Sequence, residues 1–314
     1  MTAHCVSSLD VENWRENRLP DLSGKVFVIT GGNSGIGFEA ARMLGEAGAD
    51  LILACRSPKH AKAAKTNLER TIESDIALVH LDLVDQSTIR ACASTIRSMT
   101  DRIDGLINNA GIMRTPRTIT ADGFELQFAT NHLGHFLLTS LLLDLVEAAA
   151  GRVVTVASIA HNRGQIAFDN LMLTSGYSPS KAYNQSKLAN LLFSFELDRR
   201  LQLAHSPAIA IACHPGYAAT NAQSTGPTGF WKLAYKPLNA ILAQSQSLGA
   251  VSLVLAAAGA EAKRGAYYGP TGFLQMRGPV TDAPVAAHAL AKDDWKRLWE
   301  ASEELLGITF RVGA

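Results

Sequence analysis

The sequence predicts an α/β fold: a doubly wound parallel sheet of about seven strands, flanked by helices, in a single domain. Three observations predict it. From residue 25 onward, short β-branched apolar runs alternate with longer amphipathic stretches. The runs are apolar throughout rather than at every second residue, as in parallel strands covered on both faces. A glycine cluster, TGGNSGIG at residues 30–37, marks the passage from the first run to the first amphipathic stretch.

Residues 25–30 (KVFVIT) read as a buried strand, and 35–47 as a helix stopped by Gly48. Residues 50–55 (DLILAC) form the second strand, followed by a helix over 58–73. A third strand at 76–81 precedes a helix over 86–99, and a fourth lies at 103–107. A long helix with an irregular start covers 123–149, then a strand at 152–158, a helix over 180–203 and a strand at 208–213. An apolar helix starts near Ser247. Two stretches break the rhythm. Residues 1–24 are polar around an isolated Trp14 and read as a surface-packed N-terminal extension to a catalytic domain over 25–314. Residues 217–246 mix Gly, Pro, Ser and aromatics just past a strand's carboxyl end, where open α/β sheets bind ligands.

Composition narrows the function. With 314 residues, 47% hydrophobic and 18% charged, the chain suits a well-buried globular unit. A net charge of +1 gives no bulk attraction to nucleic acid or an acidic membrane. Cys5, Cys55, Cys92 and Cys213 are widely spaced, which argues against a metal site or disulfide framework. His132 and His135 share a helix face, but no carboxylate or cysteine sits at ligand spacing, so no metal is expected. The start resembles no signal peptide, and the apolar stretches 137–146 and 248–258 fall short of the ~18 residues of a membrane span. A cytoplasmic protein without a membrane anchor is the expectation.

The glycine cluster is placed for chemistry. Gly31 permits a tight turn, while Gly35 and Gly37 let backbone and helix approach a pyrophosphate without Cβ clashes. The helix N-terminus adds N–H groups and partial positive charge for an anion. At the end of the second strand, a site preferring NAD has a carboxylate for the ribose hydroxyls. Here stands Arg56, whose planar fork suits a 2′-phosphate and points to NADP(H); a solvated surface arginine is the alternative. Tyr183 and Lys187 are four apart on a helix and rise from one face. An ammonium beside a phenol lowers its pKa from near 10, a requirement for proton exchange at neutral pH. Such pairs are also common on helix surfaces.

Together these features resemble the classical short-chain dehydrogenase/reductase family, in its retinol-dehydrogenase-like and WW-domain-oxidoreductase-like branch, over about residues 22–310. TGGNSGIG matches the family's TGxxxGIG, Tyr183–Lys187 its YxxxK, and NNAG at 108–111 a third motif. LACR at 53–56 and RLWEASEELLG at 297–307 point to the branch. The resemblance implies a Rossmann-type fold and NAD(P)(H)-dependent hydride transfer between an alcohol and a carbonyl. It implies catalytic residues Asn131, Ser158, Tyr183 and Lys187. Ser158 polarises the substrate oxygen, Tyr183 is the general acid/base, Lys187 holds the ribose and lowers the tyrosine pKa, and Asn131 keeps a water against Lys187. The implied cofactor contacts are Gly31, Asn33, Ser34, Gly35, Ile36, Gly37, Arg56, Asp82, Leu83, Asn109, Ala110, Gly111, Tyr183, Lys187, Pro215, Gly216 and Thr220.

The stretch 217–246 is expected to form a lid. Phe230, Trp231, Leu233, Tyr235, Leu238 and Ile241 make it apolar, with Phe168, Leu171 and Met172 adding to the same wall. That suits a lipophilic alcohol, aldehyde or ketone; packing of these residues onto the body is the alternative. The missing N-terminal anchor counts against retinol itself. A carbonyl reductase of small or secondary metabolites, and a non-catalytic NADP(H)-sensing or scaffolding module, remain as alternatives. Family members form homodimers or homotetramers through the helix carrying Tyr183; its apolarity here equally suits burial within one chain.

Overall fold

A computed structural model describes residues 3–7, 13–217 and 244–313. In chain order the main elements are β1 (Ala3–His4), β2 (Val26–Thr30), α1 (Gly35–Glu46), β3 (Asp50–Cys55), α2 (Pro58–Leu68), β4 (Ile76–His80) and α3 (Gln86–Met99). Then come β5 (Gly105–Asn108), α4 (Leu126–Phe128), a π-helical segment Ala129–Leu133, α5 (Gly134–Ala148), β6 (Arg152–Val156), α6 (Pro179–Leu203) and β7 (Ile209–Cys213). The last described elements are α7 (Gln246–Ala258), β8 (Tyr267–Pro270), β9 (Val280–Asp282), β10 (Val285–Ala286) and α8 (Lys292–Leu306).

Among the described residues the main sheet has eight strands in the order β4-β3-β2-β5-β6-β7-β8-β9. All neighbours are parallel except β8 and β9. From β2 the chain winds outward through β3 and β4, then returns to place β5 on the other side of β2. The β2–β5 seam is therefore the topological switch point, and the crevice at its carboxyl end is the natural ligand site of such a sheet. Alternate residues of each strand serve opposite cores. Val28, Leu106 and Val153 face α3, α5, α6 and α8, whereas Phe27, Ile29, Ile107 and Val154 face α1 and α7.

Local chemistry sets the element ends. Asp85 caps α3 by accepting from the N–H groups of Ser87 (2.8 Å) and Thr88 (3.4 Å). Helix α2 stops at Leu68, five residues before the sequence reading of 73. The chain turns there because buried Ile72 must seat against Gly45, where a Cβ would lie only 2.9 Å from Ile72 Cγ2. The fourth strand starts at Gly105 rather than 103, since Ile103 N is bound to Leu145 O and Asp104 accepts from Val26 N. The irregular start read into the long helix is the turn of α4 and the π segment. Trp14, read as part of a surface-packed stretch, is fully buried; its N–H groups reach Val280 O (3.0 Å) and Glu261 Oε2 (2.9 Å). Everything after α7 went unread as structure in the sequence.

Candidate active site

The phosphate turn is built by two motifs packed together. Gly31 lies in the left-handed region (φ 67°), and a Cβ on it would sit 3.1 Å from Ala110 Cβ. Gly37 opens α1 so close to the loop after β5 that a Cβ would collide with Asn109 Nδ2 and lie 2.7 Å from Gly31 O. Thr30 Oγ1 accepts from Asn109 N (2.9 Å) and Ala110 N (3.0 Å), and Asn109 Nδ2 donates to Thr30 O (2.8 Å). The two loops are thus tied into one floor, with glycines where a Cβ would collide, a form that suits a pyrophosphate. Gly37→Ala is expected to cost about 1–3 kcal/mol by overpacking, seen as a lower unfolding midpoint. An unchanged midpoint would show that the turn yields.

Around this floor, Asn33 and Ser34 are half-buried, the Ser34 side chain makes no capping bond to α1, and Ile36 is buried. Arg56 is exposed immediately beyond β3. The preceding residue, Cys55, faces the turn. Burial pushes its thiol up to about 11, against the backbone N–H groups of Asn33, Gly32 and Gly31 that bond it. A neutral thiol therefore occupies the strand end where a carboxylate would accept from ribose hydroxyls. Asp82 is half-buried; its Oδ1 accepts from Val84 N (3.3 Å) and its carbonyl from Thr88 Oγ1 (2.8 Å). Leu83 is buried, with its carbonyl packed on Gly134 of α5.

The polar centre lies at the carboxyl ends of β5, β6 and β7. Ser158 follows β6 and starts a short 3₁₀ turn, Ile159–Arg163, with its Oγ accepting from Ala160 N (3.1 Å). Its side chain is also hydrogen-bonded to the half-buried Tyr183 of α6. One turn along α6, Lys187 is buried and donates from Nζ to Val156 O (2.8 Å). Burial lowers Lys187 to about 8, with Cys213 pulling the other way. Asn131 sits in the π segment, and a Cβ on Gly111 would approach both Asn131 Oδ1 (3.1 Å) and Lys187 Nζ (3.7 Å). The structure therefore brings Ser158, Tyr183, Lys187 and Asn131 together with Asn109, Ala110 and Gly111.

Burial raises Tyr183 above its usual value, opposed by the Ser158 hydrogen bond and the charge of Arg114. The Asn131 side chain accepts from Ile112 N (2.9 Å) and donates to Ile112 O (3.0 Å) and Ser186 Oγ (2.9 Å). Its backbone carbonyl accepts from His135 Nδ1 (3.0 Å). That leaves His135 Nε2 bare to accept from Thr30 Oγ1 (2.9 Å), so one neutral histidine ties the phosphate turn to the π segment. His132 points away from it to Ser302 of α8 (2.9 Å).

Pro215 and Gly216 follow β7. Gly216 is left-handed (φ 68°) and lies against Met276 O; Pro215 O accepts from Gln244 Nε2 (2.5 Å). Gln244 N donates to Tyr217 O (2.9 Å), drawing together the two ends of the stretch expected as a lid. Thr220, Phe230, Trp231, Leu233, Tyr235, Leu238 and Ile241 lie outside the described residues. Phe168, Leu171 and Met172 pack against the main core, with Arg297 over the Phe168 ring (4.1 Å), so packing onto the body accounts for them. The apolar faces of α6 are likewise covered from within the chain, Phe193 and Phe195 meeting Trp299 (5.9 Å) and Trp295 (5.2 Å) of α8.

Sequence reasoning missed two neighbours of Tyr183. Tyr267 of β8 is fully buried and electrostatically coupled to it; nothing local in the sequence announces a strand there. Arg114, left-handed at φ 53°, has its N bound to Gln127 Oε1 (2.7 Å) and its charge near Tyr183 and Tyr217. It stands three residues beyond NNAG, a position the motif itself could have flagged. His161, in the turn after Ser158, is buried against Tyr267.

Comparison with known proteins agrees with this geometry. The family model described as short chain dehydrogenase matches residues 25–227. Human retinol dehydrogenase 13 is 39% identical over 295 residues, 91% of this chain and 86% of that protein. Mouse retinol dehydrogenase 12 is 39% identical over 290 residues, 91% of this chain and 88% of that protein. A crystal structure of an uncharacterized protein from Mycobacterium paratuberculosis superposes with a TM-score of 0.80 at 38% identity, covering 96% of this chain and all of that one. The Pseudomonas aeruginosa RhlG/NADP complex shares the fold, with a TM-score of 0.61 at 23% identity over 79% of this chain and 94% of that one. Among the described residues no helix is long and apolar enough to cross a membrane. The chain belongs to the short-chain dehydrogenase/reductase family of oxidoreductases, in its retinol-dehydrogenase-like branch.

Proposed function

We propose that the chain transfers hydride between NADP(H) and a lipophilic alcohol or carbonyl compound, with Tyr183 as general acid/base. The observation that carries this reading is the pair of hydrogen-bonded hydroxyls, Ser158 and Tyr183, beside buried Lys187 and the glycine-fitted turn. The residues fit the cofactor: the Gly31–Gly37 turn for the pyrophosphate, Asp82 and Leu83 for the adenine, Lys187 for the ribose, Pro215–Gly216 for the carboxamide. When bound, the nicotinamide supplies or accepts the hydride.

Ser158 Oγ accepts from Ala160 N, which leaves its own proton available to donate to a substrate oxygen. Tyr183, held protonated by burial, donates its proton to that oxygen as the carbonyl is reduced and takes it back in oxidation. The lipophilic substrate class rests on the apolar residues of 217–246 and on the retinol dehydrogenase relatives. Turnover of all-trans-retinal and a series of aliphatic and aromatic aldehydes with NADPH tests the reading. Tight NADPH binding with no turnover of any would support a sensing module instead.

The NADP(H) preference rests on exposed Arg56 and on the neutral Cys55 thiol beside it. Arg56→Glu is expected to raise KM for NADPH about 10- to 100-fold, the loss of a charge-assisted contact, and to leave KM for NADH nearly unchanged. Equal effects on both cofactors would sink the assignment.

A further inference from the structure

We infer that His161 is a positioning residue for Ser158, and that through it the C-terminal segment 285–288 is built into the active site. The inference rests on the reading of Ser158 given above. It starts from a fully buried imidazole whose two nitrogens are both committed. His161 Nδ1 lies 2.7 Å from Ser158 O. A carbonyl only accepts, so Nδ1 carries the proton. His161 Nε2 lies 3.2 Å from Ala286 N, an obligate donor, so Nε2 is bare. The neutral Nδ1–H tautomer is thus dictated from both ends, by the residue that starts the turn and by β10.

The rest of the turn is clamped from the same side. His161 O accepts from His288 Nε2 (3.1 Å) and from Gly164 N (2.9 Å). The Tyr267 ring meets the imidazole edge-on, with centroids 5.4 Å apart at 89°. β10, which supplies Ala286, is itself paired with β1. Residues 285–288 lie well beyond the 25–227 matched by the family model, so this clamp is supplied by a part of the chain outside the matched region.

The consequence for Ser158 is orientation. Its carbonyl is drawn onto the imidazole while its Oγ accepts from Ala160 N, and together these fix both backbone and side chain at the start of the turn. Held so, the hydroxyl stays within hydrogen-bond reach of Tyr183. Releasing the carbonyl lets the turn rotate, and displacements near 1 Å at a reacting group can cost about 100-fold in rate.

The test uses the full chain, with an aldehyde that the native protein reduces, and four variants: Ser158→Ala, His161→Leu, His161→Asn and His288→Ala. The amide of asparagine restores a donor near the Nδ1 position, whereas leucine keeps bulk and restores none. His161→Leu is expected to lower kcat about 10- to 100-fold, with KM for NADPH unchanged, and His161→Asn to recover most of the loss. His288→Ala, made at an exposed side chain that leaves the core intact, moves kcat the same way by a smaller factor. Ser158→Ala low with both His161→Leu and His288→Ala at native kcat overturns the inference alone. Leucine and asparagine variants equally impaired, in step with their melting temperatures, also overturn it, since that marks a merely structural role. Ser158→Ala at native kcat overturns instead the reading of Ser158 on which it rests.

Discussion

Tyr183→Phe is expected to lower kcat for NADPH-dependent aldehyde reduction by about 10²- to 10⁴-fold, the usual contribution of a positioned general acid, while NADPH still binds. The substitution removes one oxygen and leaves a ring of the same shape in the same helix. What is lost is the proton and the Ser158 hydrogen bond. Lys187 keeps its partner, since its Nζ bonds Val156 O rather than Tyr183, and the phosphate turn has no contact with the phenol. Steady-state turnover together with NADPH fluorescence separates the two effects. Native kcat in the variant would remove Tyr183 from the chemistry, and lost NADPH binding would make it a cofactor ligand first.

The second large effect concerns acid. His132, His135, His161 and His214 are all buried, and burial lowers them to about 3, 4, 4 and 3 respectively. In the unfolded chain each takes up a proton near pH 6.5; in the folded chain each stays neutral until about pH 4 or below. The unfolded state therefore binds more protons throughout this window, and stability falls as pH drops through 6.5 toward 4. At pH 5 the loss is about 2 kcal/mol per histidine. All four act in the same direction, so the loss is a sizeable part of the stability of an ordinary domain. Urea unfolding followed by circular dichroism at pH 7, 6 and 5 should show the midpoint falling steeply. A midpoint that holds to pH 5 would mean that these imidazoles are protonated in the folded protein. Lys187 acts on the alkaline side with a slope of the same sign. Lowered to about 8 from 10.5, it costs stability while charged, and that cost fades as pH rises from 8 toward 10.5.

Much of this site was legible residue by residue. Strand and helix periods placed β2, β3, α3 and α6 to within a residue of where they lie, because local apolar patterning and caps such as Asp85 set those boundaries. The glycines of the turn and the Tyr183–Lys187 spacing are likewise local: each depends on φ, on Cβ volume or on helical rise. The contributions of β8, β10 and α8 were not legible. Their apolar runs are short, and β8 and β10 are strands of 4 and 2 residues whose place is decided by partners far along the chain.

The sequence by itself determined the fold class and the place of the glycine turn, which follow from local conformation, while its motifs carried the resemblance that implied Asn131, Ser158, Tyr183 and Lys187. Only the tertiary structure decided how those residues are held. It spent the Asn131 amide on Ile112, turned Lys187 onto Val156, set burial above electrostatics at Tyr183, and tied Ser158 through His161 to residues more than a hundred positions away. Hydrogen-bond partners and desolvation are properties of the packed chain, and a linear pattern carries neither.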